Sequence, residues 1–155
     1  MNTPAKSVLI KGGRVIDPRS GFDAVADVAI GHASVLQIGG VPDGFAPELT
    51  LDASGCLVLP GLVDLAVRLR VPGGEHAGML ESEMNAAMAG GVTSLVCQPD
   101  TDPVLDEPGL VEMLRFKAEK LRQARVYPLG ALTRGLKGEA LTERSEEHTS
   151  ELQSP

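Results

Sequence analysis

The sequence predicts an α/β protein in two parts: short β-strands over residues 7–59, then strands alternating with helices over residues 60–143. Two observations carry this. Up to residue 59, apolar runs of three to five residues are each closed by Gly, Pro or Asp turn signals, the pattern of a small β-sandwich or partial barrel. From residue 60, apolar strand-like runs alternate with helix-period stripes, giving βαβαβ. That order opens either a (β/α)8 barrel or a doubly wound sheet.

In the first part, residues 8–11 and 14–16 read as two strands parted by Gly12-Gly13, the second stopping at Asp17-Pro18. Residues 27–30 and 35–38 read as a hairpin about Gly31-His32, with His32 as a solvated turn residue. Gly39-Gly40 and Pro42-Asp43-Gly44 mark a loop, and residues 49–52 and 56–59 supply two more short strands.

In the second part, the apolar run 57–63 passes into a charged alternation, as a buried parallel strand does where its carboxyl end opens into a site. Residues 79–89 form a helix with Leu80, Met84, Ala87 and Met88 on one stripe and Gly90-Gly91 as its stop. Met79, Met84 and Met88 are assigned to core packing. Residues 92–97 are a β-branched apolar strand. Asp106 is the expected N-cap of the next helix, with Glu107 and Pro108 in its first turn. That helix runs to about Gln123 and buries Leu110, Leu114, Ala118 and Leu121 at spacings of four, four and three. Residues 126–131 form the next strand.

The 155 residues carry a net charge of −7, which argues against nucleic-acid and anionic-membrane partners. No apolar run approaches the roughly 18 residues that span a bilayer, and residues 1–6 lack the apolar core of a signal peptide. Cys56 and Cys97 sit in separate apolar segments and read as buried, reduced thiols of a cytoplasmic protein. Only three histidines occur, His32, His76 and His148, too few for a histidine-rich metal centre.

The stretch from Leu59 to Gly73 carries the chemistry: Pro60-Gly61-Leu62-Val63-Asp64-Leu65-Ala66-Val67-Arg68-Leu69-Arg70-Val71-Pro72-Gly73. Residues at i and i+2 on a strand share a face, so Ala66 and Arg68 lie side by side on one face, where two side chains with lone pairs could share a divalent ion. Alanine offers no lone pair there. Arginine has five donors, no acceptor, and keeps its charge. Arg68 is therefore a fixed cation, either a surface residue at a strand end or paired with a carboxylate such as Asp64. The stretch resembles the first barrel strand of the dihydroorotase branch of the amidohydrolase superfamily, Pro-Gly-apolar-apolar-Asp-x-His-apolar-His-Leu-Arg-Glu-Pro-Gly. It matches at Pro60, Gly61, Asp64, Leu69, Arg70, Pro72 and Gly73. It departs at Ala66 and Arg68, the metal-ligand positions, and at Val71.

Two further stretches extend the resemblance. Residues 89–106, with Ala89-Gly90-Gly91-Val92-Thr93 and Pro99-Asp100-Thr101-Asp102-Pro103, are similar to that family's Ala-Gly-Gly-apolar-Thr…Met-Pro-Asn-Thr-x-Pro segment. The family binds its substrate carboxylate through the arginine at position 70 and the asparagine at position 100. Here Arg70 is kept, and a guanidinium fork suits a carboxylate. Asp100 would repel one unless protonated, or is simply a solvated loop residue. Glu75-His76 matches a family loop in which the histidine is not a ligand. Residues 130–143 match again, whereas residues 144–155, including His148, match nothing and read as a non-native tail.

The resemblance decides for the barrel: the first βαβαβ units of a truncated metal-hydrolase-type (β/α)8 barrel, preceded by the N-terminal part of a composite β-sandwich. It implies that Arg70 and Asp100 are vestigial substrate-binding positions and that no catalytic residue lies in this chain. No metal cofactor is expected, although the active family uses zinc. The function implied is a dihydroorotase-like protein of pyrimidine biosynthesis that is catalytically inactive and supports assembly of its partner, aspartate transcarbamoylase. The alternative is an active zinc-dependent dihydroorotase; a hydantoinase or allantoinase relative is a third, disfavoured by Leu69-Arg70 and Thr101. A barrel cut after about three strands leaves faces and an edge uncovered, so the isolated 155-residue chain is expected to unfold without a cooperative transition.

Overall fold

The computed structural model describes residues 7–142, which fall into two compact units meeting between Pro60 and Gly61. Within them no helix is long and apolar enough to cross a membrane.

The first unit is a five-stranded sheet centred on β1 (Val8–Asp17). β2 (Phe22–Gly31) pairs antiparallel with β1 and with β3 (Ser34–Ile38). β4 (Leu49–Asp52) and β5 (Leu57–Val58) pair parallel with β1 on its other edge. The two expected strands around Gly12-Gly13 are one continuous strand. Its register with β2 shifts between Ile10 and Gly13, a bulge rather than a turn. Gly12 takes φ +70 there, and its N–H donates to Asp27 Oδ1 at 2.9 Å, so the extra residue stays bonded. The β2–β3 turn is His32-Ala33, both at positive φ, which matches the twist that two-residue hairpins favour. Leu9, Val15, Val28, Ala29 and Ala53 are this unit's buried apolar residues.

The second unit carries a parallel sheet in the order β6 (Leu62–Val67), β7 (Val92–Cys97), β8 (Arg125–Pro128). α1 (Leu80–Ala89) links the first two strands and α2 (Pro108–Leu121) the last two. Leu80 and Met84 of α1, Leu114 and Ala118 of α2, and Leu95, Cys97 and Val126 of the sheet join one buried cluster. Both helices therefore cover the same face. α2 follows its predicted stripe: Leu114 and Ala118 are buried, and Leu110 and Leu121 pack partly buried against the cluster.

Several expectations are corrected. Glu107, not Asp106, is the N-cap of α2, and the Asp106 carboxylate instead accepts a hydrogen bond from the Gly135 N–H at 2.8 Å. Met84 is buried, but Met79 and Met88 are exposed, because only one side of α1 meets the sheet. The run 57–63 is not buried: Leu57, Leu59, Leu62 and Val63 are all at least half exposed, as is Leu65. Cys56 is exposed while Cys97 is buried. The tail at residues 144–155, with His148, lies outside the described residues.

Candidate functional site

The site lies where two adjacent parallel strands end. β6 stops at Val67 and the chain continues through Arg68, Leu69 and Arg70 into the turn at Pro72-Gly73-Gly74. Burial alternates along this stretch: Leu69 and Val71 are buried in the core cluster, while Ala66, Arg68 and Arg70 are exposed. β7 stops at Cys97 and continues through Gln98-Pro99-Asp100-Thr101-Asp102. Backbone and side-chain bonds tie the two ends together. The Gln98 N–H donates to the Val67 carbonyl at 3.1 Å, and Gln98 Nε2 donates to the Leu65 carbonyl at 2.9 Å.

Arg68 meets Asp100 across this junction. Its Nε donates to Asp100 Oδ2 at 2.7 Å, a charge-assisted hydrogen bond between residues 32 positions apart. The expected partner, Asp64, is engaged elsewhere: its Oδ1 accepts from the backbone N–H of Ala66 at 2.9 Å, a local turn contact. Arg70 sits at φ +59, and its Nε lies 3.6 Å from Glu83 Oε1 on α1. Each of the two guanidinium groups thus faces a carboxylate of the chain itself. Together with Pro72, Gly73, Thr101 and Asp102 they line an open groove of about 270 Å³.

Leu69, Val71 and Cys97, next in sequence to residues that line the groove, are buried in the core cluster. Burial pushes the Cys97 thiol up, the charge of Asp100 adds to that, and a backbone hydrogen bond involving Leu69 opposes it. A thiol so placed stays protonated at neutral pH and is a packing group, not a nucleophile.

The donor set does not fit a metal ion. Ala66 contributes no ligand atom, and Arg68 brings a fixed positive charge that is hydrogen-bonded to the nearest carboxylate. Among the described residues, no group of three or more His, Cys, Asp and Glu converges to hold one. His32 and His76 are exposed loop residues of separate units. The residues singled out in sequence are therefore brought together at Arg68, Arg70 and Asp100. Sequence reasoning missed Gln98 and Glu83: Gln98 stands at the methionine position of the Met-Pro-Asn-Thr-x-Pro segment, a position with no expected role, and Glu83 reaches Arg70 from the first turn of a helix.

The chain as a whole has recognisable relatives. A family model described as "Dihydro-orotase-like" matches residues 55–150. A dihydroorotase-like protein of Pseudomonas aeruginosa is 50% identical over 137 residues, covering 88% of this chain and 32% of the relative. A dihydroorotase of Syntrophotalea carbinolica is 45% identical over 136 residues, with the same coverage of 88% and 32%. The chain thus spans about a third of the length of the curated relatives it matches. Among solved structures, an L-hydantoinase from Arthrobacter aurescens superposes with a TM-score of 0.72 at 23% identity, over 83% of this chain and 28% of that one, a likeness of fold. Matched by the family model over more than half its length, the chain belongs to the dihydroorotase-like family.

Proposed function

We propose that the full-length protein is a non-catalytic dihydroorotase-like scaffold of pyrimidine biosynthesis that supports assembly of aspartate transcarbamoylase. In this reading the second unit opens a (β/α)8 barrel and the first unit is part of a composite β-sandwich completed by later strands. The observation that carries the reading is the Arg68–Asp100 ion pair. A guanidinium occupies a position where the family's pattern has a metal-binding imidazole, and it is already neutralised from within the chain. A fold can keep its packing while its chemistry is abandoned, because the two reside in different side chains.

A second reading is favoured by one observation: relatives at 45% identity carry the name dihydroorotase. That reading is an active zinc hydrolase, and it requires every metal ligand to come from outside this chain, since a catalytic zinc takes three protein ligands plus water. The test is metal analysis of the purified full-length protein, an assay of L-dihydroorotate hydrolysis, and co-purification with aspartate transcarbamoylase catalytic chains. The scaffold reading expects substoichiometric zinc, no turnover and a stable complex. Stoichiometric zinc with turnover overturns it.

A further inference from the structure

We propose that Asp100 determines what the groove at the strand ends accepts: by holding Arg68 with its own carboxylate, it closes the groove to anionic ligands. The inference goes beyond the scaffold reading, since a barrel without catalysis could still bind a small metabolite.

The argument starts from charge. Arginine guanidinium groups are planar carboxylate receptors, and Arg68 and Arg70 both line this groove with more than half of their side-chain surface exposed. On their own they would make it an anion site. Arg68, however, is bonded to Asp100 at 2.7 Å, and Arg70 lies 3.6 Å from Glu83. Asp102 also lines the groove, and among the ion pairs of the described residues it is a partner of neither Arg68 nor Arg70. The positive charges are therefore matched by Asp100 and Asp102 in the lining itself, before Glu83 is added. A ligand carboxylate would have to displace Asp100 from Arg68 and then sit beside it, meeting like charge. The groove is suited to a neutral or zwitterionic ligand.

Asp100 and Asp102 separate the two possible causes. Both carry one negative charge and both line the groove, but only Asp100 holds a guanidinium. Succinate is the probe, titrated calorimetrically into the full-length protein, with circular dichroism confirming that each variant is folded. Asp100→Asn removes the repulsion and frees Arg68, and succinate should bind about tenfold more tightly than to the wild type. The gain is modest because both partners are partly exposed and their charges are screened. Asp102→Asn should change affinity by no more than about twofold. Adding Arg68→Ala to Asp100→Asn should abolish the gain. If Asp100→Asn does not fold, Asp100→Ser carries the same expectation. The inference is overturned if the wild type binds succinate as tightly as the Asp100 variant. It is equally overturned if Asp102→Asn gives the same gain, or if the gain survives loss of Arg68.

Discussion

Replacing Gly73 by alanine should unfold the groove's rim at a cost that follows from the geometry. Gly73 sits at φ +91, and a Cβ there would collide with the carbonyl oxygen of Asp102 and come within 2.8 Å of its Cβ. The obstacle is backbone, in a segment bonded back to the turn by the Asp102 N–H to the Pro72 carbonyl at 3.3 Å. Left-handed backbone costs a residue with a Cβ about 1–2 kcal/mol. Forcing packed backbone apart costs about 1–3 kcal/mol more. The sum is about 2–5 kcal/mol of lost stability. The matched control is Gly109→Ala in the first turn of α2, where an added Cβ meets nothing within 4 Å and φ is not in the left-handed range. Alanine there should be neutral or stabilising by up to about 1 kcal/mol. Urea unfolding of the full-length protein followed by circular dichroism reads both, as shifts of midpoint at constant slope. A Gly73→Ala midpoint equal to or above that of the wild type would refute the reasoning, because no relaxation of a flexible side chain is available to relieve the contact.

Neighbouring residues on one strand end should respond in opposite ways. Leu69→Ala removes a side chain that is fully buried in the core cluster and should cost about 2–5 kcal/mol, whereas Arg68→Ala, 67% exposed, should cost less than about 1 kcal/mol in the same urea assay. Acid should weaken the β1–β2 pairing. The Arg14 hydrogen bond holds the Asp23 carboxylate below its usual range, so its stabilisation is present above the ordinary carboxylate pKa and is lost as pH falls through the folded value. An acid-unfolding profile that is unchanged in Asp23→Asn would count against that contact. Iodoacetamide applied to the native protein at neutral pH should label Cys56 and spare Cys97, whose thiol is buried and shifted up; mass spectrometry showing equal labelling would contradict the burial.

Local periodicity made part of this fold legible. The stripe of Leu110, Leu114, Ala118 and Leu121 follows from helical spacing alone, and its middle two members are buried as expected. The β7 segment is apolar and β-branched enough to need no context. What failed were statements about partners. An apolar run such as 57–63 declares hydrophobicity but not what covers it, and the two helices cover only one face of the sheet they flank. Gly12-Gly13 reads equally as a turn or a bulge, and only the pairing partner decides between them. The partner of Arg68 was sought four residues away at Asp64. The true partner lies in the loop after the next strand, and the Asp64 carboxylate accepts from the backbone N–H of Ala66. Motif comparison did bring Arg68, Arg70 and Asp100 to notice, but each as a separate departure or match.

Their pairing changes what those departures mean. A lone arginine or a lone aspartate in this groove would each leave an uncompensated charge at the junction of two strands. Together they cancel, and the 2.7 Å bond links the end of β6 to the loop after β7. The bond adds little to stability, because both side chains are partly exposed. With so little energy in the pair, replacing either partner costs the fold little. Along residues 66–71 the positions that hold the fold, Leu69 and Val71, are buried, and Arg68 and Arg70, which line the groove, are exposed. Exposed and buried residues interleave on one segment, so substitution of the exposed set leaves the core contacts intact. On this segment the packing rests on Leu69 and Val71 and not on the charged residues beside them.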